Sequence, residues 1–207
     1  MRIPYVNLSK QYDEEKKDLM KIFDKVLKSG NYVGGEFVKI FEKNLAEFCG
    51  AKHCVSFNSG TDALTFALHL AGVKKGDEVI TTPNSFIAST SVIVHLGAKP
   101  VFVDVLDDQN INPDIIEKKI TSKTKAIMPV HLTGRVCQMD KILKIAKQYK
   151  IILIEDAAQA ILSKYKNKSL GSFGDLSTFS FHETKNIHSG EGGALIINNK
   201  KFLKKAY

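Results

Sequence analysis

Short apolar runs that alternate with helix-sized amphipathic stretches constrain this chain more than any other feature of its sequence. Runs at 54–57, 78–82, 100–104, 126–130, 151–155, 176–181 and 194–197 each have the length of a strand. Helix candidates occupy most of the gaps, and strands joined through helical crossovers lie parallel in one sheet. The pattern predicts a three-layer α/β/α fold, a mostly parallel sheet with helices on both faces. Stop signals fall just before strands, at Gly72 with Gly76 and Asp77, and at 96–100 with Gly97 and Pro100.

Two helices are expected ahead of this alternation. Leu19, Ile22, Phe23, Val26 and Leu27 recur at helical spacing within 11–28, and Ser29 with Gly30 ends the run as a C-cap does. A loop of Asn31, Tyr32, Val33, Gly34 and Gly35 leads into a second stripe through Val38, Phe41, Leu45 and Phe48, closed by Gly50. Residues 199–207 read as the start of a lysine-rich helix that simply stops, as in a truncated chain. The expected organisation is an N-terminal arm and helix over 1–35, a large domain over 36–199, and over 200–207 the start of a helix leading to a missing C-terminal domain.

Composition narrows the classes. A 207-residue chain that is 43% hydrophobic can bury one substantial core. Its apolar runs fall far short of the roughly 20 residues of a membrane span. The polar segment after the N-terminus lacks the apolar core of a secretion signal, so a cytoplasmic protein without membrane contact is expected. Cys49, Cys54 and Cys137 form no C-x-x-C pair and are odd in number, which points to buried thiols rather than disulfides or zinc. No pair of histidines has metal-ligand spacing, and no metal is expected. The formal net charge of +8 comes from lysines spread along the chain, with only Arg2 and Arg135 as arginines. A solvated surface, or attraction for an anionic small substrate, fits this better than a nucleic-acid face.

In open α/β sheets, ligands sit outside the carboxyl ends of the strands, so the polar residues after each apolar run carry the chemistry. Asn58, Ser59, Gly60, Thr61 and Asp62 follow the first run and open a helix, whose free amides can hold a phosphate. The same side chains would serve equally as N-caps. Glu155 and Asp156 follow a fully apolar run, where one carboxylate can lie deep enough to need a cationic partner. The other can cap the next helix, and adjacency leaves the assignment open. A third place, 177–186, sets Lys185 just beyond a strand and ahead of a glycine-rich turn at 189–193. An amine held partly out of water there is available for imine formation. His131 and His182 also fall at strand ends, where a structural role is the default.

Taken together, SGTDAL from Ser59, GDEVI from Gly76, VFVDV from Val101, TKAIMPVHLTG from Thr124, EDAAQ from Glu155, and FSFHETKN from Phe179 with the GEGG tail from Gly190 resemble the DegT/DnrJ/StrS-type nucleotide-sugar aminotransferases, fold type I pyridoxal-phosphate enzymes. The stretches keep the family's order and span nearly the whole chain. The resemblance implies an aspartate-aminotransferase-like large domain, with Lys185 as the Schiff-base lysine and Asp156 paired with the pyridinium nitrogen of pyridoxal phosphate. It also implies that Gln159 lies near the ring, Phe86 stacks on its face, and Thr61, Asp62 and Ser180 hold the phosphate, the first two through their amides. The Tyr32 loop matches one that approaches substrate in the family. The implied reaction moves an amino group from an amino acid, usually glutamate, to a keto group of a nucleotide-linked deoxy sugar, in a homodimer. The alternatives are a non-catalytic cofactor-binding fragment and a related sugar dehydratase, against which the presence of Lys185 argues.

Overall fold

A computed structural model describes residue 4 and residues 6–207; the start of the expected N-terminal arm, residues 1–3 and 5, lies outside the described residues. The chain divides into two compact units, Met1–Phe41 and Glu42–Tyr207. In the first, helix α1 (Leu8–Ser29) opens on Asn7, whose side chain accepts from the Lys10 amide, and closes on Gly30 in the left-handed conformation, φ 70°. That cap lies where the Ser29 and Gly30 signal predicts it. None of the residues of α1 is buried. Helix α2 (Gly35–Phe48) follows, and its last turns bury Leu45 and Ala46.

All seven apolar runs form strands, shifted at their ends by up to three residues. They are β1 (Cys54–Phe57), β2 (Glu78–Thr81), β3 (Lys99–Phe102), β4 (Thr124–Ile127), β5 (Ile152–Asp156), β8 (Leu176–Ser180) and β9 (Gly193–Ile197). Between β5 and β8 lies a two-stranded ribbon, β6 (Lys164–Tyr165) with β7 (Lys168–Ser169). The seven-stranded sheet runs β1-β9-β8-β5-β4-β2-β3. Pairing is parallel from β3 through β2, β4 and β5 to β8, and antiparallel only on either side of β9.

Helices α3 (Gly60–Leu70), α4 (Ala88–His95) and α5 (Met139–Tyr149) form three of the crossovers. Alternation along the strands sorts the core into two faces. Val79, Ala126 and Ile154 pack with Leu64, Leu68 and Val92 of α3 and α4. Their neighbours Ile80, Ile127 and Leu153 pack with Ile142 and Ile145 of α5. Farther along the sheet, Phe179 and Ile196 meet Leu45 and Cys49 at the end of α2. Burial, with Glu155 adding to it, pushes the Cys49 thiol up to about 12, as suits an inert core thiol. The final turn and helix α6 (Leu203–Ala206) follow β9, and Phe202 is buried in the α3–α4 core.

The expectation that helices fill most gaps holds for three of them and is corrected for the others. Between β3 and β4 the chain makes only short 3-10 turns, at Pro113–Ile115, which Asn112 caps, and at Glu117–Lys119. Between β5 and β8 the ribbon turns on Lys166 and Asn167, both left-handed, as a tight hairpin requires. Among the described residues, no helix is long and apolar enough to cross a membrane.

Candidate functional site

Each strand that ends at the top of the sheet delivers one polar segment. After β1, Ser59 takes an extended conformation and caps α3, accepting the Asp62 N–H at 3.1 Å. Its hydroxyl donates to the Asp62 carboxylate at 3.0 Å, so side chain and cap close on each other. The amides of Gly60 and Thr61, in the first turn of α3, have no acceptor within the helix.

Two glycines let the neighbouring strands reach this turn. A Cβ on Gly60 would stand 2.7 Å from the Ser180 Cβ, and one on Gly193 would collide with the Ser59 carbonyl. The ends of β8 and β9 are thereby drawn against the start of α3, and Ser180 comes to the helix N-terminus.

Asp156 ends β5 at 3% exposure. Its Oδ2 accepts from Ser89 Oγ at 2.7 Å and its Oδ1 from the Ala158 amide at 3.2 Å. Burial pushes the carboxyl up, against the pull of Ser89, Ala158 and, by charge, His131 and Lys185. The adjacent Glu155 points the other way. It is fully buried and accepts from the amides of Phe173 (2.9 Å) and Gly174 (2.8 Å) and from Ser177 Oγ (2.6 Å). Burial would raise it, but His131, Gly174 and Ser177 hold it below the usual carboxylate range. His131 Nδ1 lies 3.2 Å from the Cys137 amide nitrogen, and its Nε2 lies 3.4 Å from Glu155 Oε2. The two strand-end acids are thus divided between the core and the crevice.

One cavity of about 460 Å³ gathers the rest. Thr61, Phe86, Asp156, Gln159, Ser180 and Lys185 all line it, although they come from four different segments, and Val130 with Leu132 adds a fifth. Asp62 is not among the lining residues, its amide being taken by Ser59. Phe86 is 68% exposed, an aromatic face presented to the opening. Gln159 Oε1 accepts the Thr133 N–H at 2.8 Å, so its NH2 group remains to donate. Lys185 follows a turn in which its own amide bonds to the His182 carbonyl, and among the described residues its amine forms no ion pair. His182 also lines the cavity, with Nδ1 3.0 Å from Thr184 Oγ1 and Nε2 3.5 Å from Glu191. The sequence reading did not single out Ser85 and Ser89; the signal was two hydroxyls four residues apart, after a strand and around Phe86.

A mostly parallel α/β sheet whose crevice joins a buried carboxylate, a lysine and a helix N-terminus defines a class of site for an anionic, nitrogen-bearing cofactor. The family model for the DegT/DnrJ/EryC1/StrS aminotransferase family matches residues 13–207, and the chain belongs to that family. It is 44% identical to a pleiotropic regulatory protein of Geobacillus stearothermophilus, over 99% of this chain and 56% of that protein. It is 42% identical to a dTDP-3-amino-3,6-dideoxy-alpha-D-galactopyranose transaminase of Aneurinibacillus thermoaerophilus, over 95% and 54%. Among solved structures, S. venezuelae DesV in complex with a ketimine intermediate superposes with a TM-score of 0.93 at 35% identity, over 99% of this chain and 56% of that one. The structure of ntda from Bacillus subtilis with bound cofactor PMP gives 0.92 at 35%, over 99% and 47%. The chain spans about half the length of the curated relatives it matches.

Proposed function

We propose that these residues form the cofactor-binding part of a pyridoxal-phosphate-dependent aminotransferase, which moves an amino group from glutamate to a keto group of a nucleotide-linked deoxy sugar. The observation that carries the reading is Asp156, a buried carboxylate whose hydrogen-bond donors among the described residues are the neutral groups of Ser89 and Ala158. Such a group calls for a cation, and a protonated ring nitrogen is one. The lysine and the helix N-terminus in the same cavity fit the aldehyde and phosphate ends of the same molecule.

Pyridoxal phosphate, when bound, supplies a carbon that links to amines and a ring that withdraws electrons from the carbon beside them. The protein residues divide the remaining work. Asp156 keeps the proton on the ring nitrogen, which sustains that withdrawal. The amides of Gly60 and Thr61 and the hydroxyl of Ser180 hold the phosphate, with Asp62 supporting the turn through Ser59. Phe86 covers one face of the ring, and the Gln159 NH2 donates at its edge. Lys185 would hold the cofactor between turnovers, and its Nζ, when free, would take the α-proton of the amino donor.

The names of relatives that act on dTDP-linked sugars, and of the GDP-perosamine synthases of Caulobacter vibrioides and Escherichia coli O157:H7, support a sugar nucleotide as amino acceptor. The proposed activity is that of the whole protein. Full-length protein loaded with pyridoxal phosphate and given glutamate should release 2-oxoglutarate stoichiometrically, then aminate a keto-deoxy sugar nucleotide. Failure to release a keto acid from glutamate or any other amino acid would sink the proposal.

A further inference from the structure

Asp156 is held by more than the site's obvious parts. Ser89, 1% exposed, places its hydroxyl 2.7 Å from Asp156 Oδ2 and 2.7 Å from Ser85 Oγ. An ionised carboxylate can only accept, so the Ser89 proton goes to Asp156 and Ser85 must donate to Ser89. The two hydroxyls form a chain that runs from Ser85, on the half-buried cavity wall, to the carboxylate beneath it. Serines near a helix start usually serve as caps. Here α4 has no side-chain cap bond, and the N-cap position is Ile87, so neither hydroxyl is spent on the helix. Without Ser89, Oδ2 would lose its donor among the described residues, and the Ala158 amide would be left to orient the group.

We infer that Ser89, backed by Ser85, is a positioning residue that fixes the Asp156 carboxylate in the rotamer and acceptor state a ring N–H requires. The inference rests on the reading of Asp156 as the partner of the cofactor nitrogen. A charge-assisted hydrogen bond to a buried carboxylate stabilises its ionised form, and the ionised form keeps the ring nitrogen protonated. The other titratable groups acting on Asp156 are His131 and Lys185, and neither is altered by changes at 85 or 89.

The test uses full-length protein loaded with pyridoxal phosphate carrying 15N in the ring. The 15N resonance reports protonation of that nitrogen, and equilibrium titration gives the cofactor's Kd. With Ser89→Ala, Kd should rise about tenfold and the ring nitrogen should lose its proton at a pH where wild type keeps it. Ser89→Thr, which retains the hydroxyl, should restore both values. Ser85→Ala, at a half-buried position, should shift the nitrogen in the same direction by less, and it decides the matter if Ser89→Ala does not fold. Wild-type Kd and wild-type nitrogen titration in the folded serine variants would overturn the inference alone. A wild type in which the cofactor forms no borohydride-reducible link to Lys185 would overturn the functional reading, and this inference with it.

Discussion

Glu155 and Asp156 are consecutive in sequence and opposite in consequence. Strand geometry turns them to opposite faces, one into a shell of amides and one into a cavity. Their titrations therefore carry opposite signs. Glu155 is held below its unfolded value, about 4.3. Its contribution to stability is present above that pH and is lost as pH falls through the lower folded value. Glu155→Gln should cost roughly 3 kcal/mol at neutral pH, because four donors and His131 lose their anion, and the deficit should shrink in acid. Denaturant melts at pH 7 and pH 4 check this; an equal deficit at both would contradict it. In the cofactor-free protein Asp156 sits above its unfolded value, about 3.9. The favourable part of its linkage is present in acid and is lost as pH rises through the raised folded value. Asp156→Asn should therefore raise the Tm of cofactor-free protein at pH 7 by roughly 2–4 °C, yet weaken cofactor binding. A lower Tm in the cofactor-free variant would show that Asp156 is not an unmet charge. The sequence presented both acids as equals. What separates them is the loop carrying Phe173 and Gly174, together with His131, and these reach Glu155 only through the fold.

At the scale of elements, the crevice depends on how closely β8 and β9 approach the start of α3. Gly193 is the tightest of these contacts, since any Cβ there meets the Ser59 carbonyl, which is backbone and cannot swing aside. Gly193→Ala should destabilise the fold by roughly 2–3 kcal/mol through overpacking and should also weaken phosphate-dependent cofactor binding. Gly190→Ala is the control. It has open space but a left-handed backbone, so it should cost about 1 kcal/mol of strain and leave the α3 turn in place. Chemical denaturation combined with cofactor titration separates the two, and comparable losses of affinity in both would contradict the packing account. The strands were legible because the apolar runs of β2, β5, β8 and β9 are buried on both faces and all the runs are bounded by turn residues. The helix-free connections were not legible. The β5–β8 segment is bent by contacts that bring Gly171 to Gly174 back onto Glu155, and no local period records such a bend.

At the scale of the whole molecule, α1 presents Leu19, Ile22, Phe23 and Leu27 to solvent at exposures from 44% to 57%. An apolar stripe of that size on a helix with no buried residue marks an interaction surface. The full-length protein is expected to be a homodimer, and light scattering should return twice the chain mass. Phe23→Asp should lower that mass or lead to aggregation, whereas a monomeric full-length protein with normal transamination would count against the expectation. The periodicity of α1 showed the stripe but not what covers it, because a helix reads the same whichever surface it meets. The central claim is narrower than the assembly: one crevice, assembled from five segments, holds pyridoxal phosphate with Lys185 at its reactive end. Its most direct test is to load full-length protein with the cofactor, reduce with borohydride, digest, and locate the added mass by peptide sequencing. The account predicts that mass on Lys185, and its absence after Lys185→Ala while Thr61, Ser180 and Asp156 still bind the cofactor reversibly. The mass on a different lysine, or on none, would contradict it.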